Sequence, residues 1–258
     1  MGYKKGDSLI NFSFFFQAAT YIVFYLVWHI GFVVCRVLGS ARYEGKRKLA
    51  AVRGNAILVS NHTTFLDPVF ISGAAIPRTM WHTLLEATVE APFLGTFTRL
   101  LGGLPLPPGM TGLDKIIKIA DRAFRYKPFI HFYPEGECYL YNQQIQPFKA
   151  GAFYVAAKLE LPVYPLVTVF SEGLFKPKTP LARRYPKQTL VVLDPLYPAD
   201  FIRRRENGEL DMGSIHAFAD AARRRMQEEI DRRRRENPRW GTQAYYRGKM
   251  DRLKGING

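Results

Sequence analysis

Ala56-Ile57-Leu58-Val59-Ser60-Asn61-His62-Thr63-Thr64-Phe65-Leu66-Asp67 is the stretch on which the fold turns. Ala56 to Ser60 is a short apolar run bounded by Gly54 and Asn61, which reads as a buried strand. Asp67 opens a predicted helix reaching Ala75, so a strand runs into a helix with a histidine and an acid at the junction. The same alternation continues downstream. Strands are predicted at Thr79 to Leu85, Phe129 to Tyr133, Val163 to Val169 and Leu190 to Leu193. Between them, Leu113, Ile116, Ile117, Ala120 and Phe124 fall on one helical face, and a second helix is predicted around Ala150 to Lys158. Pro92 and Gly102 to Pro108 read as punctuation. Such alternation predicts an α/β fold with a mixed, largely parallel sheet flanked by helices.

Upstream, Ser8 to Cys35 is a run of 28 residues with no Lys, Arg, Asp or Glu. At 1.5 Å per residue a continuous helix would reach about 42 Å, against roughly 30 Å of bilayer hydrocarbon. A tilted helix or a bent pair dipping into one leaflet both satisfy that length. Lys4 and Lys5 precede the run, and Arg36, Arg42, Lys46 and Arg47 follow it, so both ends suit one anionic face. The chain is therefore divided into a membrane-anchoring helical segment, 1–39, and an α/β domain, 40–258. The anchor predicts a membrane-associated protein, with the cytoplasmic face of the plasma membrane as the expected location.

Composition narrows the function. The 258 residues carry 37 Lys and Arg against 22 Asp and Glu, for a net charge of +15, which calls for an anionic partner. From Phe201 onward there are 15 basic and 9 acidic residues. There Met212, Ile215, Phe218, Ala222, Met226 and Ile230 form a helical stripe, with Arg223 to Arg225 and Arg232 to Arg235 mostly off it. No nucleic-acid reader motif accompanies these arginines, so anionic membrane lipid is the expected partner and nucleic acid is not. Cys35 and Cys138 are too far apart in sequence and too unlike in context to suggest a bridge or thiolate cluster, and a reducing compartment fits best. His29, His82, His131 and His216 form no ligand pair, so no metal is expected.

Three constellations carry chemistry. In the first, Asp67 can reach back to His62, hold one tautomer and leave a general base beside Asn61 at the carboxyl edge of a strand. In the second, Phe132-Tyr133-Pro134-Glu135-Gly136-Glu137 ends a strand in a turn that puts Glu135 at the same edge to bind hydroxyls, with turn amides available to an oxyanion. In the third, Phe148-Lys149-Ala150-Gly151-Ala152-Phe153 opens a helix with Lys149 at an anion-favouring end, ahead of Leu161-Pro162-Val163-Tyr164-Pro165-Leu166. A nucleophilic role for Cys138 lacks an activating partner.

Asn61-His62-Thr63-Thr64-Phe65-Leu66-Asp67, the Pro-Glu-Gly block, Pro147 to Phe153 and Leu161 to Leu166, in this order behind an apolar segment, resemble the glycerophosphate and lysophosphatidic acid acyltransferases. The resemblance covers about Ala56 to Leu166. It implies His62 as general base, Asp67 as its orienting partner, Glu135 and Gly136 in the acceptor block, and Pro162 to Pro165 in the block that shapes the acyl site; Asn61 and Lys149, beside these blocks, are expected as further substrate-binding residues. It also implies an acyl thioester of coenzyme A or acyl carrier protein as co-substrate, a lysophospholipid acceptor, and no cofactor. The sequence departs from the family where phosphate-binding arginines are expected. Glu137, Cys138 and Tyr139 follow the Pro-Glu-Gly glycine, and Pro107 and Pro108 follow Gly103-Leu104-Pro105-Leu106. An arginine fork holds phosphate bidentately, so acceptors other than lysophosphatidic acid, including another lyso-lipid or a glycolipid, stay open. So do a transacylase and a non-catalytic basic membrane module.

Overall fold

The structure is a computed structural model that describes residues 8–39, 42–90, 93–139, 141–171 and 187–238. Lys4, Lys5, Pro92 and the basic residues after position 238 lie outside these, as do the side chains of Cys35 and Arg36. In chain order the elements are α1 (Phe14–Gly39), β1 (Arg42–Glu44), α2 (Lys46–Ala50), β2 (Ala56–Ser60), α3 (Asp67–Ala75), β3 (Met80–Leu85), α4 (Glu86–Glu90), α5 (Leu94–Leu100), β4 (Gly103–Leu106), α6 (Gly109–Phe124), β5 (Phe129–Phe132), α7 (Gly151–Leu159), β6 (Val163–Ser171), β7 (Lys187–Val192) and α8 (Met212–Glu236).

Seven strands form one sheet in the order β1-β7-β6-β2-β5-β3-β4. All neighbours are parallel except β6 and β7. The central strands are apolar on both faces because both faces are covered. In β2, Ile57 and Val59 join the core beneath α6, α7 and α8, and Ala56 and Leu58 join the core beneath α2 and α3. The stripe on α8 is buried at Ile215, Phe218, Ala222, Met226 and Ile230, and Asp211 caps the helix by accepting from the amides of Gly213 and Ser214. Arg233 departs from the expected off-stripe position. It is buried, and its guanidinium pairs with Glu44 of β1 and Glu229.

Two strands escaped the sequence reading. β4 lies inside the segment expected to be punctuation, and Pro105 is tolerated there because β4 is an edge strand and needs one ladder fewer. β1 is three residues long, two of them charged, and gains its place only by pairing with β7.

Of the two forms left open for the apolar segment, the structure has one continuous helix. Within it Phe14–Gly31 is apolar and long enough to cross a membrane, with a mean hydropathy of 1.4 and 22% of the window buried. This helix packs on α3 and α5. The Tyr21 hydroxyl donates to the Tyr126 carbonyl at 2.5 Å, and the Tyr25 hydroxyl to that of Pro77 at 2.7 Å. Lys127, fully buried, holds its ammonium 4.8 Å from the Tyr21 ring, 5.8 Å from Phe24 and 5.0 Å from Trp81. Burial lowers its pKa to about 8, and the rings attract the charge that remains.

Close approach of α1 to α3 requires Gly73, where a Cβ would overlap the Tyr43 hydroxyl and lie 2.8 Å from Trp28 Nε1. Gly73→Ala gains about 1 kcal/mol of helix propensity but forces this contact apart. We expect a net loss of about 1–2 kcal/mol, read by chemical denaturation, together with faster proteolysis between α1 and α3.

Candidate active site

β2 and β5 are adjacent and parallel, with Val59 opposite Phe132. Their carboxyl ends therefore deliver His62 and the Pro-Glu-Gly turn side by side, at the edge where open α/β sheets hold ligands.

The loop between β2 and α3 is organised by one buried carboxylate. Asp67 Oδ2 accepts from His62 Nδ1 at 2.9 Å, from the Thr63 amide at 2.5 Å and from the Thr64 amide at 2.9 Å. Its Oδ1 accepts from the hydroxyls of Thr64 at 2.7 Å and Thr63 at 3.4 Å. A carboxylate can only accept, so Nδ1 carries the imidazole proton and Nε2 is left as the basic nitrogen. The His62 side chain is 21% exposed while that of Asp67 is fully covered. Tyr133 lies flat against the imidazole, with ring centroids 4.0 Å apart. Its buried hydroxyl is held protonated, its pKa raised by burial and then by the negative charge of Asp67.

Glu135 is buried and each carboxylate oxygen takes a main-chain amide at 3.0 Å: Oε1 that of His62, Oε2 that of Gln146. It thus clamps the histidine loop to the turn and to the segment before α7. The Tyr139 amide donates to the His62 carbonyl and the Tyr141 amide to that of Thr63, both at 2.9 Å, closing the loops into one unit. The amides of Gly136, Tyr139 and Tyr141 are consequently committed, Gly136 to the Tyr133 carbonyl. Gly136 adopts a φ of 78°, and a Cβ there would collide with the Lys149 side chain, which lies across the turn. Lys149 is in turn anchored through its amide to the Pro134 carbonyl at 2.8 Å. Asn61 is buried, with both ends of its amide bonded to the main chain of Thr168, so it extends the β2–β6 pairing past the end of the strand.

Arg99 is buried, its guanidinium 5.6 Å from the Phe16 ring, and Lys115 and Lys118 lie on the exposed face of α6. The Cys138 thiol is pushed up to about 12, by burial first and then by Asp67 and Glu135, so it is protonated at neutral pH and unsuited to nucleophilic attack. Among the described residues no group of three or more His, Cys, Asp or Glu has the arrangement of a metal site.

An apolar cavity adjoins the start of α3. It holds about 310 Å³ and is walled by Phe24, Val27 and Trp28 of α1, Phe65, Leu66 and Val69 around the start of α3, and Leu94 and Phe97 of α5. Phe65 and Phe93 are 79% and 93% exposed, and Leu66, Leu85 and Leu94 are also exposed, leaving an apolar surface around the cavity.

Residues 40–169, about half of the chain, match the acyltransferase family. The chain belongs to that family. Among curated relatives it is 30% identical to the 1-acyl-sn-glycerol-3-phosphate acyltransferase of Saccharomyces cerevisiae over 125 residues, 47% of this chain and 41% of the relative. It is 28% identical to the Helicobacter pylori protein of the same name over 152 residues, 57% of this chain and 62% of the relative. The matches thus span less than two thirds of either relative. The crystal structure of the 1-acyl-sn-glycerophosphate acyltransferase PlsC from Thermotoga maritima shares the fold, with a TM-score of 0.58 over 83% of this chain and 82% of that one, at 22% identity.

Burial raises the Glu135 pKa from 4.5 to about 7, against the opposing effect of its two amide donors. Between those values the folded acyltransferase keeps a proton that the unfolded chain releases. Stability from this group is therefore full below pH 4.5 and lost as pH rises to about 7. Glu135→Gln removes that slope. Relative to the variant, wild type should lose up to about 3 kcal/mol between pH 4.5 and 7, measured by denaturant unfolding at a series of pH values.

Proposed function

We propose that this acyltransferase is membrane-associated and moves a fatty acyl chain from a coenzyme A or acyl carrier protein thioester to the free hydroxyl of a lysophospholipid, with 1-acylglycerol 3-phosphate the first acceptor to consider. The observation that carries this reading is the 2.9 Å contact of His62 Nδ1 with buried Asp67, which leaves Nε2 as a base at the open edge of the sheet. Nε2 takes the acceptor hydroxyl proton as the oxygen attacks the thioester carbonyl. The imidazolium formed is stabilised by Asp67, and the tetrahedral oxyanion collapses with loss of thiolate, which recovers the proton from Nε2. The acyl chain occupies the cavity whose wall begins at Phe65 and Leu66, three and four residues after the base. Exposed Phe14, Phe15, Ile22 and Leu26 of α1 and Phe65 and Phe93 of the domain face lipid, and the arginines of α8 add long-range attraction to an anionic bilayer.

Support for the acceptor comes from the names of the two curated relatives and from Lys149, whose side chain crosses Gly136. One observation favours a second acceptor class. Glu137, Cys138 and Tyr139 occupy the block where a phosphate-binding arginine is expected, Glu137 is exposed in the turn with a negative charge, and a single flexible ammonium is a weaker phosphate ligand than a fork. An acceptor with a neutral or zwitterionic head fits that turn better than a phosphomonoester does.

Transfer from labelled palmitoyl-CoA to lysophosphatidic acid, lysophosphatidylcholine, lysophosphatidylethanolamine and monoacylglycerol separates these readings. His62→Ala should lower kcat by about 10²- to 10⁴-fold with whichever acceptor is used. Lys149→Ala should raise KM for lysophosphatidic acid and leave KM for monoacylglycerol nearly constant. Wild-type transfer that survives His62→Ala would sink the mechanism, and transfer to every acceptor except lysophosphatidic acid would replace the substrate.

A further inference from the structure

The cavity wall is apolar apart from Ser72, His82 and Thr98. Ser72 and His82 end a row of four buried side chains that crosses β2, β5 and β3 to α3. Ser60 Oγ lies 2.9 Å from His131 Nε2, His131 Nδ1 lies 3.1 Å from His82 Nδ1, and His82 Nε2 lies 2.8 Å from Ser72 Oγ. Burial lowers both histidine pKa values, that of His82 to about 3 with Lys127 contributing, so both rings are neutral.

Neutrality fixes the arithmetic of protons. Each imidazole has one N–H and each serine one O–H, so four protons serve three contacts. If His131 donates to His82, its bare Nε2 must accept from Ser60. His82 then carries its proton on Nε2 and donates to Ser72, whose own O–H is uncommitted. If His82 donates to His131, the row reverses and Ser60 is left with the spare proton. One serine hydroxyl is therefore always over, and in one of the two arrangements it is the serine on the cavity wall. A buried donor without an acceptor is costly, and a water in this cavity would find too few partners. The other hydroxyl on the wall, that of Thr98, already donates to the Gly95 carbonyl at 3.0 Å.

We propose that the cavity selects a fatty chain bearing a hydroxyl group along its length, which bonds to Ser72. A chain hydroxyl accepts from Ser72 in the first arrangement and donates to it in the second, so either state of the row can bind it. The inference rests on the reading of this cavity as the acyl slot. The hydroxylated chain can belong to the thioester donor or to the lyso-lipid acceptor, and both would meet the same serine.

The full-length protein in phosphatidylcholine nanodiscs is given palmitoyl chains, plain or hydroxylated at successive carbons, first as coenzyme A thioesters and then as the chain of the lyso-lipid acceptor. At one hydroxyl position in one arm, kcat/KM should exceed that of the plain chain about fivefold. The ratio should fall to about one in Ser72→Ala and persist in Ser72→Thr. Displacement of a fluorescent fatty acid by plain and hydroxylated palmitate reads the same preference without turnover, and Ser72→Cys supplies a weak-donor variant if Ser72→Ala does not fold. Ratios at or below one for every position in both arms, or a preference that survives loss of the hydroxyl, overturn the proposal. Transfer of plain chains that needs His62 but shows no hydroxyl preference removes this inference alone. A binding preference with no transfer from any thioester keeps it and removes the enzymatic reading.

Discussion

A single carboxylate sets the geometry on which the candidate site depends. Asp67 sits at zero exposure with donors from His62, Thr63 and Thr64 around both oxygens. A charge so far from water is tolerable only because those hydrogen bonds replace its hydration. They also dictate the path of residues 62–66, since two consecutive amides and a ring nitrogen must converge on one point. The four-residue spacing between His62 and Asp67 follows from this: it is the length of chain needed to leave β2, turn, and present the first residue of α3 back to the loop.

What Asp67 does within the loop, Glu135 does between loops. It ties His62 to Gln146 across the carboxyl ends of β2 and β5, which the parallel register already brings together. The two acids have different electrostatic positions. Asp67 has five donors, whereas Glu135 has two amides against strong burial, so its proton is held into the neutral range. A clamp with that pKa ties the shape of the site to pH even though Glu135 itself performs no proton transfer in the mechanism proposed.

The parts of the fold legible in sequence were those whose cause is local. β2, β5 and β6 are apolar runs with turn residues at their ends, and the His62–Asp67 pair stands at a strand-to-helix junction whose spacing, taken with the blocks that follow it, suggested the contact. β1 and β4 carry no such signal, one being mostly charged and the other rich in glycine and proline, and each exists through a partner strand. Arg233 is an instructive miss. Three residues beyond Ile230, it sits one helical turn further along the stripe, where an arginine is not expected, and Glu229 together with Glu44, 189 residues away in sequence, makes the charge acceptable there. The row Ser60-His131-His82-Ser72 was invisible for the same reason: two histidines in predicted strands reveal nothing until register places β5 beside β3.

The helix α1 was legible as an apolar segment but not as a wall. A tether needs only length and hydrophobicity, whereas α1 contributes Phe24, Val27 and Trp28 to the cavity and is fixed to the domain by Tyr21, Tyr25 and the aromatic cage around Lys127. Its opposite side exposes Phe14, Phe15, Ile22 and Leu26, so apolar surface is distributed over both the inner and the outer side of the helix. That distribution explains why the run shows no strong amphipathic pattern. In the membrane-associated enzyme proposed above, a helix that closes the cavity with one side and meets hydrocarbon with the other must be apolar nearly all round. On that proposal the cavity opens beside the lipid-facing surface, and a chain leaving the bilayer would exchange one apolar environment for another, with little of its area ever entering water.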